Sequence, residues 1–376
     1  MWVRGSAAFW ALVLWTGASC AASRLAGGGG YLIASFPSRH EVNYARLPEP
    51  LTWRPLVHSG LFEPKALCID VENSRLFVAD PTSERVYWYQ LEVLADGRLL
   101  TDGRQRIAAH SVIARGLAVD GIGSLYIAGR SVGVPPNLPP MEAVFKQDAI
   151  AIATGAFATG SGDTAALPPP PQLWTRMNTG ASLALGATSS ASSPELFEPS
   201  GLALGAFDLF WGNAARGPGT GAVVKASMAP PANRPEDALE ALADNVEGVI
   251  SLVLTPNDVF YGASGGIYGV SQRKAGLGCG AESALCPLVA ATPHPTGMVW
   301  DGDGTIYVAD HGSGGVLSFP SGSKSLHSMR RVGEAGGIFS LALYSGGSGI
   351  PSRAHAPLVP LVATLLVFAA ALAGAV

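Results

Sequence analysis

The apolar positions of this chain fall in short runs of four to six residues, each closed by Gly, Pro, Asp, Asn or Ser. Runs of that length between turn signals predict strands with at least one buried face. One arrangement of such runs returns along the chain. It reads as a small residue, an apolar run, a short polar turn, a second run such as Leu76-Phe77-Val78-Ala79-Asp80, a loop, and a third run. Copies begin at Lys65, Arg115, Ser200, Ile250 and Thr296, and a stub begins at Phe339. The spacings between these starts are 50, 85, 50, 46 and 43 residues. A period in the forties with about four strands per unit predicts the blade of a β-propeller.

The stub and the N-terminal region complement each other. Phe339 onward supplies an innermost strand and then the pattern stops. Gly30 to Val57 supplies a second, third and fourth strand without a first. Together the two ends predict one composite blade that leaves no edge unpaired. Five internal blades and the composite give an all-β, six-bladed propeller over 30–345. The interval of 85 residues leaves a seventh blade open, but its Ala, Gly, Ser and Pro content over 131–195 reads as a low-complexity insertion.

Composition narrows the setting. Charged residues make up 14% of the chain, and there are 47 glycines and 28 prolines, as many short strands and tight turns require. The net charge of -4, with no Lys/Arg cluster, argues against a nucleic-acid partner, which a basic patch would bind.

Both ends carry targeting patterns. Residues 1–23 have Arg4, an apolar core from Ala7 to Trp15 and small residues from Ala18 to Ala22, the order of a secretory signal peptide. Residues 356–376 are 21 uncharged positions, long enough to cross a bilayer. Before them lie a polar spacer, 346–355, and small residues that include Ser345, Gly346 and Gly347. That order fits a GPI signal with those three as attachment candidates, and a single transmembrane helix is the alternative. The expected address is the secretory pathway and the cell surface, with the membrane met through the tail. Cys279 and Cys286 in a glycine-rich loop are expected to form a local disulfide, and Cys68 to be a core residue.

The pattern Gly-apolar-Ala-apolar-Asp, followed by Leu/Ile-Tyr/Phe-Val-Ala-Asp, resembles the NHL and SMP-30/gluconolactonase-like six-bladed propellers. The resemblance spans roughly residues 30 to 345 and implies the fold more than an activity. Two enzymatic types within it imply motifs that this chain departs from. The lactonase type has an early Glu-Gly-Pro-x-Trp stretch whose Glu binds a divalent metal, whereas Glu49 and Trp53 here stand in Leu-Pro-Glu-Pro-Leu-Thr-Trp. The peptide-amidating lyase type has three zinc-binding His residues at inner-strand starts. The matching positions here are Lys65, Arg115, Ser200, Ile250, Thr296 and Phe339.

Those six positions are the expected channel mouth. Lys65 and Arg115, on adjacent blades, are placed to receive an anionic or carbonyl ligand, or else to be ordinary solvated charges. Asp301-Gly302-Asp303-Gly304 looks like a calcium loop, but position 12 from Asp301 is Gly312 rather than Glu, so a tight turn is the better reading. Asp80 and Asp310 end their second strands in one register, where Gly129, Asn213 and Ser264 stand in other blades, which marks a turn device. His58, His110 and His294 each precede an inner strand at a different offset, a poor basis for one metal site. The leading expectation is an extracellular binding or scaffold module for an unknown protein or small ligand, without a cofactor. The alternative is a metal-dependent propeller hydrolase, lactonase or strictosidine-synthase-like, with Ca2+ or another divalent ion in the channel.

Overall fold

The computed structural model describes residues 30–48, 50–132, 142–154, 171–173, 198–214, 221–228, 239–273 and 287–345. They form six antiparallel sheets, five of four strands and one of five, arranged as a six-bladed β-propeller. The propeller lies in the compact unit that ends at Ser345.

We number the blades along the chain. Blade 1 runs from Leu67–Asp70 through Arg75–Asp80 and Arg85–Val93 to Arg106–His110, and Leu99–Thr101 extends its third strand as a hairpin. Blade 2 holds Val112–Val119, Leu125–Ser131, Glu142–Gln147 and Gln172–Leu173. Blade 3 starts with Pro199–Leu204, blade 4 with Ser251–Leu254 and blade 5 with Pro295–Trp300. In blade 6, Leu341–Tyr344 is innermost and pairs with Tyr31–Phe36, followed outward by Glu41–Arg46 and Arg54–Val57. The composite blade is therefore built as its two halves predict. No sheet beyond these six occurs among the described residues. The alanine- and glycine-rich interval contributes the third and fourth strands of blade 2, with a short helix, Ala149–Thr154, after the third.

Side-chain alternation explains why the second strands read as continuous apolar runs. In Arg75–Asp80, Leu76 and Val78 face the core between blades 6 and 1, while Phe77 and Ala79 face the core between blades 1 and 2. In Thr305–Asp310, Ile306 and Val308 face blade 4, and Tyr307 and Ala309 face blade 6. Successive side chains point to opposite faces, so a strand covered on both sides must be apolar at every position. Six such cores, one per pair of blades, fill the molecule.

Every innermost strand starts on one face of the propeller, called the mouth face below, and turns back at the other, the hairpin face. Asp301 shows how the hairpins are held: its Oδ1 accepts backbone N–H groups from Asp303, Gly304 and Thr305 at 2.8, 2.9 and 2.9 Å. The Asp301 carboxylate is a turn device, at the far end of its strand from the mouth. Cys68 is buried in the core between blades 1 and 2. Cys279, Cys286, Gly346 and Gly347, together with the segments 1–23 and 346–376, lie outside the described residues, and Ser345 directly follows the last strand. Among the described residues no helix is long and apolar enough to cross a membrane.

Candidate functional site: the channel mouth

Lys65, Arg115, Ser200, Ile250, Thr296 and Phe339 all line one cavity of about 290 Å³ at the mouth face. Strand phase alone brings these six together. The residue after each is small, in order Ala66, Gly116, Gly201, Ser251, Gly297 and Ser340, and these also line the cavity. Close approach of the inner strands is the reason. A Cβ on Gly116 would lie 2.5 Å from the Ser200 carbonyl oxygen, and one on Gly297 would lie 2.7 Å from Ser340 Cα.

Serine hydroxyls stitch neighbouring blades at this level. Ser35 Oγ donates to Lys65 O at 2.6 Å, Ser200 Oγ to Ile250 O at 3.1 Å and Ser251 Oγ to Pro295 O at 2.8 Å. Thr296 Oγ1 donates to Ala309 O at 3.3 Å. The hydroxyl protons of Ser200, Ser251 and Thr296 are therefore committed to backbone carbonyls. The charged donors facing the cavity belong to Lys65 and Arg115.

Both cations have carboxylate partners. Arg115 grips Glu142 through two parallel bonds, Nη1 to Oε2 at 2.6 Å and Nη2 to Oε1 at 3.0 Å. That hydrogen-bonded pairing raises the Arg115 pKa above its ordinary value against the opposing effect of burial. Lys65 Nζ lies 2.9 Å from Glu63 Oε1 and 5.8 Å from the centre of the Phe339 ring. The hydrogen bond from Lys65, aided by one from Thr82, holds the Glu63 carboxyl below the usual carboxylate range. An ammonium has three N–H donors and a guanidinium five, so Lys65 keeps two and Arg115 keeps three beyond these contacts. Sequence spacing hid Glu142, because it enters from the third strand of its blade, where it pairs with Arg130.

Asp80 and Asp310 support the mouth. Asp80 accepts the backbone N–H groups of Phe62 and Glu63 at 2.7 and 3.0 Å, fixing the carboxylate partner of Lys65. Asp310 accepts from His294 at 3.1 Å and Ser313 at 3.2 Å. In the same register Asn213 is fully buried, with no partner for its amide among the described residues.

A second hollow, of about 520 Å³, adjoins the cavity and shares Lys65 and Phe339 with it. His40, Phe62, Glu63 and His311 line it. His40 Nδ1 bonds Phe62 O, and His311 Nδ1 bonds Ile338 O at 3.1 Å. A carbonyl only accepts, so Nδ1 carries the proton in both rings and Nε2 of the neutral ring is an acceptor. Both histidines sit in the turn after a second strand. His58, His110 and His294 line neither space.

The donor set for a metal can be tested directly. Among the described residues the cavity lining contains no Asp, Glu, His or Cys, and no three such side chains are grouped to hold a metal ion. The described lining therefore offers a divalent cation no carboxylate or imidazole ligand.

No protein-family model and no curated protein matches the sequence. Solved structures do match the fold. A periplasmic gluconolactonase of Pseudomonas aeruginosa is 13% identical, with a TM-score of 0.50, over 84% of this chain and 99% of its own. A candidate 6-phosphogluconolactonase from Bacteroides fragilis NCTC 9343 is 11% identical, with a TM-score of 0.50, over 84% and 98%. Regucalcin of Agrobacterium tumefaciens, described as a calcium-binding protein, is 13% identical over 76% and 79%, with a TM-score of 0.45. The chain's six-bladed β-propeller thus shares its overall fold with the two gluconolactonase-type structures.

Proposed function

We propose that the mouth cavity, with the adjoining hollow, binds a small ligand bearing a carboxylate or carbonyl group, and that the protein is a membrane-tethered extracellular binding module. The observation that carries this reading is the position of Lys65 and Arg115 on adjacent blades, lining one cavity with unused N–H donors. Their partners Glu63 and Glu142 neutralise the site, which favours one acceptor group over a polyanion. Phe62 and Phe339 add apolar rings beside the acceptor nitrogens of His40 and His311. Secretion and tethering rest on the composition of 1–23 and 356–376.

The test is thermal unfolding of the full chain with a panel of small carboxylates, keto acids and lactones. Binding to the native state alone raises the midpoint by mass action, about 2.7 kcal/mol at a hundredfold excess over Kd. A shift present in the wild type and lost in both Lys65→Gln and Arg115→Gln is expected. A panel without any shift, or shifts that survive both substitutions, would falsify the reading. Release of the protein from cells by a phosphatidylinositol-specific phospholipase separates a GPI anchor from a spanning tail.

A second reading is a lactone hydrolase. What supports it is the likeness in fold to a protein named gluconolactonase. Lys65 and Arg115 are placed to polarise a lactone carbonyl, and no metal step is assigned. Ring opening of a sugar lactone, followed as acid release, should exceed the buffer rate and fall at least tenfold in Arg115→Gln. A rate equal to buffer would rule the hydrolase out and leave the binding reading intact.

A further inference from the structure

The exposed apolar side chains are unevenly placed. Phe62 is the one large exposed apolar side chain at the mouth among the described residues. At the opposite end, Ile122 and Phe207 cap the inner hairpins of adjacent blades 2 and 3, and they are 65% and 74% exposed. Val93 and Leu100, both exposed, lie on the hairpin extension of blade 1, which reaches past the same end of its sheet. Ile150, also exposed, follows the third strand of blade 2 at that end. The exposed apolar side chains of blades 1 to 3 thus gather at one end of the propeller, an asymmetry that a contact surface at that end would explain.

Chain topology adds a second, independent fact. Tyr31 pairs with Tyr344, so the chain enters and leaves the propeller side by side. Hydrogen bonds place this pair at the hairpin face: Tyr344 Oη lies 3.0 Å from Ser74 Oγ, in the blade 1 hairpin, and Tyr31 Oη donates to Gly97 O at 2.9 Å. Beyond Ser345 come the spacer 346–355 and then 21 uncharged residues. A spacer of ten residues spans at most roughly 35 Å when fully extended.

We infer that the hairpin face is the membrane-facing surface, that Ile122, Phe207, Val93 and Leu100 contact the lipid headgroup region, and that the ligand mouth opens away from the bilayer. This rests on the proposed tether, whether a GPI attachment at 345–347 or a spanning segment over 356–376. A few apolar side chains dipping into the interface suit a protein already held there by a second signal, because each adds little alone. A free mouth is also what the ligand reading needs, since solute reaches it without crossing the lipid boundary.

The experiment uses the full chain in phosphatidylcholine vesicles that contain brominated lipid. A fluorophore is attached at Asn257→Cys, on the hairpin face of blade 4, or at Ser264→Cys, at the mouth end of the same blade, with the unmodified chain as the labelling control. Co-flotation with vesicles tests the tether. If the chain does not float, the tether reading fails and the inference falls with it. If it floats, the Asn257→Cys label should be quenched by bromine at least threefold more than the Ser264→Cys label. Equal quenching, or stronger quenching at the mouth, overturns the orientation while the tether stands. Ile122→Asp with Phe207→Asp should halve the quenching at Asn257→Cys without loss of flotation, and unchanged quenching refutes the apolar contact. Self-quenching of the Asn257→Cys label at high protein-to-lipid ratio, with no effect of bromine, assigns the face to a second copy of the chain and also refutes it.

Discussion

Two ion pairs at opposite ends of the propeller use the same chemistry for different ends. At the hairpin face, Arg75 donates Nε and Nη2 to Asp70 Oδ2 at 3.1 and 2.5 Å, and both side chains are buried. Arg75 also reaches the Gly123 carbonyl of the next blade at 3.4 Å. At the mouth, Arg115 and Glu142 meet at 2.6 Å but remain about a quarter exposed. A buried pair is strongly destabilising to break, because one charge is left stranded without solvent. A solvent-accessible pair contributes less, because water and salt compete for both partners. The first pair is therefore architecture that couples blades 1 and 2, and the second is a set of donors that a ligand can share.

The largest test of this contrast removes the buried carboxylate. Asp70→Ala should lower unfolding free energy by about 3–5 kcal/mol in urea titration. A second variant, Asp70→Leu with Arg75→Met, should recover much of that loss. Next comes the inner ring itself. Gly116→Ala places a methyl against the Ser200 carbonyl, and overpacking of that kind costs about 1–3 kcal/mol. Its effect on stability should exceed its effect on ligand affinity.

Glu142→Gln should change stability by about 1 kcal/mol or less, in keeping with a solvent-accessible pair. It should nonetheless alter ligand binding, because Arg115 loses its clamp. If its stability cost matched that of Asp70→Ala, the contrast between the two ends would collapse. The smallest effect concerns pH. Glu63 has a depressed pKa in the folded protein. Its contribution is thus present above the ordinary Glu value of about 4.3 and is lost as pH falls through the lower folded value. The stability difference between wild type and Glu63→Gln should shrink between pH 5 and pH 3. A difference that grew with acidity would reverse the assigned sign.

The parts that sequence makes legible are the repeated ones. Small-residue positions such as Gly116, Gly201 and Gly297 repeat because each meets the neighbouring inner strand, so one blade predicts the next. That repetition locates all six mouth residues and the composite blade. It also separates Asp80, Asp310 and Asp301 from site residues, since their carboxylates hold backbone N–H groups. What repetition cannot locate is a partner particular to one blade. Glu142 stands in an interval whose composition resembles a linker, although it lies on a strand. His40 and His311 belong to different blades and meet at the hollow only through the curvature of the ring. Exposure on the hairpin face is likewise invisible to periodicity, because turn residues are expected to be polar there and Ile122 and Phe207 are exceptions to the pattern.

The composite blade also sets an order in time. Leu341–Tyr344 is the last strand of the propeller in sequence, so a ribosome releases it after every other strand. Until then Tyr31–Phe36 presents an open edge, while five complete blades are already available to stack. Closure of the ring consequently waits for that last strand, and a nascent chain stalled before Leu341 carries an unpaired strand able to capture the wrong partner.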